Sequence, residues 1–318
     1  MARFPHRPLL TSISEPVLLG VIGGTGLYHL KCLTPVARLY PDTPWGKPSS
    51  PITVSRTDSG FLVAFLSRHG LHHQYTPSTV PSRANIAALK KIGVKAIVAF
   101  SAVGSLQEHI QPRDFVIPNQ IIDRTKGIRP SSFFDTGFVG HVGFGDPFDD
   151  DLGNLIADFG HVLKGENGTE VKLHSKKADK EDITLVCMEG PAFSTRAESK
   201  LYRSWGGCVI NMSALPEAKL AKEAEIAYQM VCMSTDYDAW REDAEPVTVE
   251  TVVGNLKANS DNAHNLTEAI IEKVEQELYA GRIGNKLQGS MKFAVSTHGH
   301  GIDPELKAKL EFLHPGYW

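Results

Sequence analysis

Short aliphatic runs alternate with longer helical patterns along most of this chain, and few layer architectures accommodate that rhythm. Val17–Ile22, Phe61–Leu66, Ala96–Phe100, Asp114–Ile117, Thr184–Met188, Val209–Met212 and Ile226–Ser234 read as strands. Arg83–Ile92, Thr195–Ser204, Pro216–Ala224 and Thr248–Leu278 read as helices. Strands that alternate with helices predict an α/β fold with a mixed, mainly parallel central sheet flanked by helices. With no internal repeat and no interdomain linker, the 318 residues are expected to form one main domain over 17–280. Residues 1–16 are an N-terminal extension and 281–318 a C-terminal one, placed on the surface or at a subunit contact. Residues 164–182, rich in Lys, Glu, Asp and Gly, are expected to be a solvated loop insertion.

Composition removes several functions. A net charge of −3, with no basic patch interleaved with aromatics, offers nothing to nucleic acid or to an anionic membrane. No apolar run approaches the ~20 residues of a transmembrane helix. Arg3 and Arg7 precede an apolar stretch that Glu15 and Pro16 interrupt, so no secretory signal is expected. Cys32, Cys187, Cys208 and Cys232 form no CxxC pair, which suits reduced thiols in the cytoplasm, with the nucleus also open to the chain. His298-Gly-His300 has no accompanying acid or cysteine cluster, so it reads as a pair of loop histidines and no metal is expected.

In mainly parallel sheets, ligands bind outside the carboxyl ends of strands, so the residues that follow each strand matter most. Gly23-Gly24-Thr25-Gly26 follows the first and is neither a Walker loop nor GxGxxG; it serves either a tight turn or an anion. Arg68 and His69 follow the second, as phosphate donors or as a basic surface turn. Ser101-Ala102 offers a hydroxyl and a small-residue backbone. Glu189–Arg196 opens a helix; Phe193 offers a face for a flat ring, while Thr195 with Glu198 reads as a capping box. Asn211-Met212-Ser213 adds a hydroxyl and a thioether, the latter equally at home in a core.

Asp236-Tyr237-Asp238 closes the last strand. Two acids two residues apart in an extended chain leave the sheet on the same side, and burial of such a pair raises the pKa of both. Anion donors, apolar faces and a carboxyl pair together form a kit for moving a sugar between an aromatic base and phosphate.

At this point five motifs align with a known family. GGTG at 23–26, SRHG at 67–70, EGPAFSTRAES at 189–199, VINMSALPEAKLAKEA at 209–224 and STDYDAW at 234–240 resemble the 5′-methylthioadenosine phosphorylases, of the trimeric purine nucleoside phosphorylase type. The resemblance spans about 17–279, in order. It implies a nucleoside-phosphorylase fold assembled as a homotrimer. It places Thr25, Arg68, His69, Ser101, Ala102 and Ser213 around phosphate and Met212 at the ribose. It puts Phe193, Ser194, Ile210, Asp236 and Asp238 around the purine, and Val249 and Val252 at the alkylthio group. His141 is the residue it lends to a neighbour's site. Ser101 and Ser213 stand where close relatives often have threonine, and both keep the hydroxyl.

The reaction implied is phosphorolysis of 5′-methylthioadenosine to adenine and 5-methylthioribose 1-phosphate, with inorganic phosphate as co-substrate and no cofactor. Asp236 would donate to N7 of the leaving base and Asp238 would accept from the 6-amino group. The rival readings are a 6-oxopurine nucleoside or methylthioinosine phosphorylase, which the acid pair disfavours, and a non-catalytic nucleoside-binding module. A dinucleotide-dependent dehydrogenase lacks its glycine fingerprint.

Overall fold

The computed structural model describes residues 9–24, 30–165, 169–241 and 248–318. Thr25 therefore lies outside the described residues. The strands are β1 (Leu19–Gly23), β2 (Thr34–Leu39), β3 (Ile52–Arg56), β4 (Leu62–Ser67), β5 (Ala96–Ser105), β6 (Phe115–Ile117), β7 (Gln120–Arg124), β8 (Leu173–Ser175), β9 (Thr184–Met188), β10 (Gly207–Asn211) and β11 (Ala227–Asp236). The helices among the described residues are α1 (Ser82–Lys91), α2 (Asp150–Ala157), α3 (Lys176–Asp179), α4 (Arg196–Ser204), α5 (Glu217–Glu223), α6 (Val249–Tyr279) and α7 (Pro304–Leu310).

All strands join one sheet, ordered β2-β3-β4-β1-β5-β10-β9-β7, with β11 on β5, β6 on β11 and β8 on β6. The β1–β4, β1–β5, β5–β11, β9–β10, β7–β9 and β6–β8 pairs are parallel; β2–β3, β3–β4, β5–β10 and β6–β11 are antiparallel. The sheet is mixed and mainly parallel, as expected.

Side-chain alternation along β5 divides the core in two. Ile97 and Ala99 join Ile86, Leu89 and Leu220 of α1 and α5 on one face. Ala96, Val98 and Phe100 join Leu152, Ile156, Leu266, Ile270 and Val274 of α2 and α6 on the other. In α6 the buried Ala263, Leu266, Ile270, Val274 and Leu278 recur at three- and four-residue steps, which makes one apolar stripe. Helix α4 begins where the capping box predicts: Thr195 Oγ1 accepts from Glu198 N, and the Glu198 carboxylate accepts from Thr195 N at 2.8 Å.

Two expectations need correction. Residues 164–182 are not simply a solvated loop, since β8 and α3 lie within them. His174 of β8 is buried, with Nε2 3.0 Å from Asp114 Oδ2, and the Ser175 side chain caps α3 by accepting from Ala178 N. His174 and Ser175 bond inward, while most of the polar residues around them stay exposed. The C-terminal residues are also anchored, since Met291, Leu310 and Leu313 enter the core. His314 Nε2 donates to the Glu223 carbonyl at 2.7 Å, and Tyr317 Oη donates to Glu225 at 2.8 Å.

The strand β5 positions the site. Its edge pairs with β1 over Ala96–Ala99, and with β10 at Gly104 and Ser105. Because β1 and β10 run toward each other, their carboxyl ends meet, and among the described residues no strand covers Phe100–Val103 on that edge. The opposite edge stays paired to β11 throughout. The result is a rigid opening in mid-sheet.

Candidate active site

A cavity of about 340 Å³ fills this opening. Gly24 follows β1, Arg68 and His69 follow β4, and Phe100–Gly104 form its floor. Met188 and Phe193 come from the end of β9, Ile210–Ser213 from β10, and Asp236 and Asp238 from β11. One face of α6, carrying Val252, Leu256, Ser260 and Ala263, closes the side.

One end of the cavity is cationic and hydroxylic. The Arg68 guanidinium is buried, with Nε and Nη2 donating to the two Glu217 oxygens at 2.9 and 2.8 Å, and Nη1 donating to the Phe100 carbonyl at 2.8 Å. Arginine has five N–H groups, so two remain for a ligand. Tyr228 Oη donates to the same Glu217 at 2.7 Å. Ser101 Oγ and Ser213 Oγ are 2.8 Å apart, and Asn211 Nδ2 donates to Ser101 Oγ at 3.1 Å. Asn211 thus fills one Ser101 lone pair, while the hydroxyl protons engage the Ser101–Ser213 contact and the Ala102 carbonyl, 3.0 Å from Ser101 Oγ, bonds that an anion would compete for.

His69 departs from its expected role as a donor. Its Nδ1 lies 2.9 Å from the Tyr75 carbonyl, which only accepts, so Nδ1 carries the proton. Burial and the neighbouring Arg68 charge push its imidazole down to about 4. The neutral ring therefore presents Nε2 as an acceptor, suited to the P–OH of hydrogen phosphate. His73, stacked on it at 4.5 Å, also lines the cavity.

The other end holds the acids. Both Asp236 and Asp238 face the cavity, but not by strand alternation. The strand ends at Asp236, and Asp238 sits in a turn with φ +47° that brings its side chain back. Asp236 Oδ1 accepts from the Asp238 N–H at 2.8 Å and Oδ2 from Thr235 Oγ1 at 2.7 Å. Burial raises the Asp236 carboxyl above the usual carboxylate range, against those hydrogen bonds. Asp238 is pushed up to about 6, mainly by burial and further by the Asp236 charge. Glycine at 104 leaves close room beside them: a Cβ there would stand 3.1 Å from Asp236 Oδ1 and 3.2 Å from Asp238 Cβ, so the acids would have to give by a few tenths of an ångström.

Arg68, His69, Ser101, Ala102, Ser213, Met212, Phe193, Ile210, Asp236, Asp238 and Val252 thus come together around one space. Three expected residues do not line it. Ser194 is buried and turned away, its hydroxyl 3.3 Å from Met188 Sδ. Val249, one helical turn before Val252, is 69% exposed. His141 lies on the surface with its N–H donating to the Ala294 carbonyl at 2.9 Å, outside the cavity of its own chain. Sequence reasoning missed Glu217, Asn211, Leu256, Ser260 and Ala263. The helix period from Val252 pointed to the last three, and Asn211 lay inside a recognised motif. Among the described residues, no group of three or more His, Cys, Asp or Glu is placed to hold a metal ion, and no helix is long and apolar enough to cross a membrane.

Comparison with known proteins adds to this geometry. The family described as the Phosphorylase superfamily matches residues 18–272. An S-methyl-5′-thioadenosine phosphorylase of Yarrowia lipolytica is 68% identical over 310 residues, which covers 98% of this chain and 96% of that one. Among solved structures, a methylthioadenosine phosphorylase from an antarctic soil metagenomic library superposes with a TM-score of 0.83 at 39% identity, covering 94% of this chain and 99% of that one. The methylthioadenosine phosphorylase of Schistosoma mansoni in complex with adenine superposes with a TM-score of 0.78 at 27% identity, over 88% of this chain and 99% of that one.

Proposed function

This chain belongs to the phosphorylase superfamily, and from that premise we infer its reaction: reversible phosphorolysis of 5′-methylthioadenosine to adenine and 5-methylthioribose 1-phosphate. It is a pentosyltransferase of methylthioadenosine salvage. The observation that carries the reading is the polarity of one cavity, with Arg68 and the Ser101–Ser213 hydroxyls at one end and the two buried carboxyls at the other.

The proposed residue roles follow from that polarity. Hydrogen phosphate takes the two free Arg68 N–H groups and the hydroxyl protons of Ser101 and Ser213, while His69 Nε2 accepts its proton. The Ala102 backbone and Thr25 complete this subsite in the proposal. The C1′–N9 bond breaks as a phosphate oxygen forms its bond to C1′, and the phosphate charge stabilises the oxocarbenium-like sugar between them. The electron pair of the broken bond passes to the purine. Protonation at N7 by Asp236 neutralises it.

The carboxyl pair shares this work. Burial pushes both carboxyls up, Asp238 to about 6, so both hold a proton more readily than exposed acids do. A bound 6-aminopurine would redistribute it: the amine favours an ionised Asp238, and the N7 lone pair favours a protonated Asp236. Met212 packs on the ribose, and Phe193 with Ile210 on the purine, with Ser194 acting through Met188. Val252 borders the methylthio group, and Val249 joins it once a neighbouring subunit covers the exposed side. That neighbour supplies His141, so a homotrimer is part of the proposal, as is residence in the cytoplasm, with the nucleus also open to it.

The test is adenine release from 5′-methylthioadenosine with and without phosphate, with inosine in parallel. Phosphate-dependent release with little inosine cleavage supports the reading. Release without phosphate would indicate a hydrolase, and inosine preference a 6-oxopurine enzyme.

A further inference from the structure

The two carboxyls differ in where their hydrogen bonds come from. Asp236 is bonded from its own segment, by Thr235 Oγ1 and the Asp238 N–H. Asp238 takes a local backbone bond from Ala239 and, unlike Asp236, a second from across the fold: the Ser199 hydroxyl of α4 donates to its Oδ2. Ser199 does not line the cavity and has no exposed surface, so its hydroxyl has no solvent to bond to in place of Asp238, which itself faces the cavity.

The placement of this hydroxyl is firmly held. The capping box fixes the first turn of α4, and the Ser199 N–H donates to the Thr195 carbonyl at 2.9 Å. The same helix grips the turn that carries Asp238. The Arg203 guanidinium lies 3.5 Å from the centre of the Trp240 ring, and its Nη1 donates to the Leu106 carbonyl at 2.6 Å. Trp240 Nε1 in turn donates to the Ser105 carbonyl at 2.8 Å. Helix α4 and the β11 turn are therefore tied together by these contacts, and Ser199 bridges them through Asp238.

Donation by a hydroxyl needs an oxygen lone pair, and it is strongest to an ionised acceptor. We propose that Ser199 is a positioning residue that sets the polarity of the base subsite: its hydroxyl keeps Asp238 an acceptor for an exocyclic amine and leaves the proton of the carboxyl pair to Asp236. This rests on the 6-aminopurine phosphorolysis inferred above. The other described charges facing Asp238 work against Ser199. Asp236 on β11 and Glu198 on α4 both favour its protonation, and Arg203 is engaged with the Trp240 ring. Without Ser199, the Asp238 carboxyl would keep its proton more readily and donate to a 6-oxo group.

The test compares Ser199→Ala and the near-isosteric, weakly donating Ser199→Cys with the unaltered protein. The kcat/KM for 5′-methylthioadenosine and for 5′-methylthioinosine is followed across pH, with phosphate KM measured alongside. A charged hydrogen bond of ordinary strength predicts that the acid limb moves up by about one to two pH units. The 6-amino to 6-oxo preference should fall by about tenfold or more, with phosphate KM unchanged. If both variants keep the original limb and preference, the proposal is wrong. It is equally wrong if they lose phosphate affinity and purine preference together, because Ser199 would then only support the fold. If the unaltered protein shows no phosphate-dependent adenine release, the reaction assignment fails instead, and the two failures are separate results.

Discussion

The carboxylate of Glu217 grips the guanidinium of Arg68 in a buried two-point ion pair, at 2.9 and 2.8 Å, although 149 residues separate them in sequence. The pair aims the cation. With Nε and one hydrogen of Nη2 committed to Glu217, the remaining N–H groups have a fixed direction, and Glu217 cancels part of the charge cost of burying Arg68. Burial lowers the proton affinity of Arg68, and the Glu217 charge more than restores it.

Glu217→Ala should therefore act on stability as well as on activity. It leaves a buried guanidinium unpaired and Tyr228 without its acceptor, a loss of about 3–5 kcal/mol. Urea unfolding of the two proteins measures it. A loss below about 1 kcal/mol would mean that the pair behaves like an exposed one.

Asp236→Asn removes the proposed proton donor while keeping its shape. Turnover of 5′-methylthioadenosine should fall by about 10²–10⁴-fold, the span of general acid catalysis. Phosphate KM should change little, since Asp236 lies at the opposite end of the cavity from Arg68. Steady-state kinetics with phosphate varied separates the two effects, and near-normal turnover eliminates Asp236 as the acid.

Glu223 gives a pH dependence of stability. Burial raises its carboxyl to about 7, against bonds from Ser132 Oγ and the Phe133 N–H. The folded state binds this proton more tightly than the unfolded chain. The contribution is thus complete below the unfolded value and is lost as pH rises through about 7. Over that window Glu223→Gln should remove a slope of up to about 1.4 kcal/mol per pH unit. Thermal unfolding from pH 5 to 8 checks it, and parallel curves for the two proteins would refute it.

In the proposed reading the 5′ end of the substrate faces Val252, Leu256 and Ala263, with Ser260 the one hydroxyl that α6 brings to the cavity among the described residues. An apolar wall rejects an added hydroxyl only weakly, by about 10²-fold. Adenosine should be a slow but measurable substrate, and Val252→Ser should narrow its disadvantage. A preference for adenosine in the unaltered protein would mean that this wall is misassigned.

Local chemistry made much of this legible. The apolar runs of β1, β4 and β9 are buried enough to read directly, and Thr195 with Glu198 announced α4 because a capping box needs only neighbouring residues. Strands β2 and β7 escaped because they carry exposed polar positions at sheet edges, so neither shows a clean apolar run. Strand β5 was read at half its length, since Ser101, Gly104 and Ser105 look like loop residues until β10 and β11 pair with them. In the site, Asp236 and Asp238 were found for an incomplete reason: the left-handed turn at Asp238, rather than strand geometry, brings the second acid round. Glu217 and Ser199 lie inside recognised motifs, but nothing in the neighbouring residues signals their roles. Each matters only through a partner that folding brings from far along the chain.

The floor of the cavity has one more consequence. Ser101, at the anion end, and Gly104, beside the acids, are three residues apart on one extended strand, a span of about 10 Å. That strand is clamped to β11 along its other edge. In the proposed reading, the spacing between the phosphate subsite and the base subsite is therefore gauged by a ruler that does not stretch. Any adjustment to a longer or shorter ligand falls to α6 and the turn after β11, and substrates should be sorted by reach before they are sorted by chemistry.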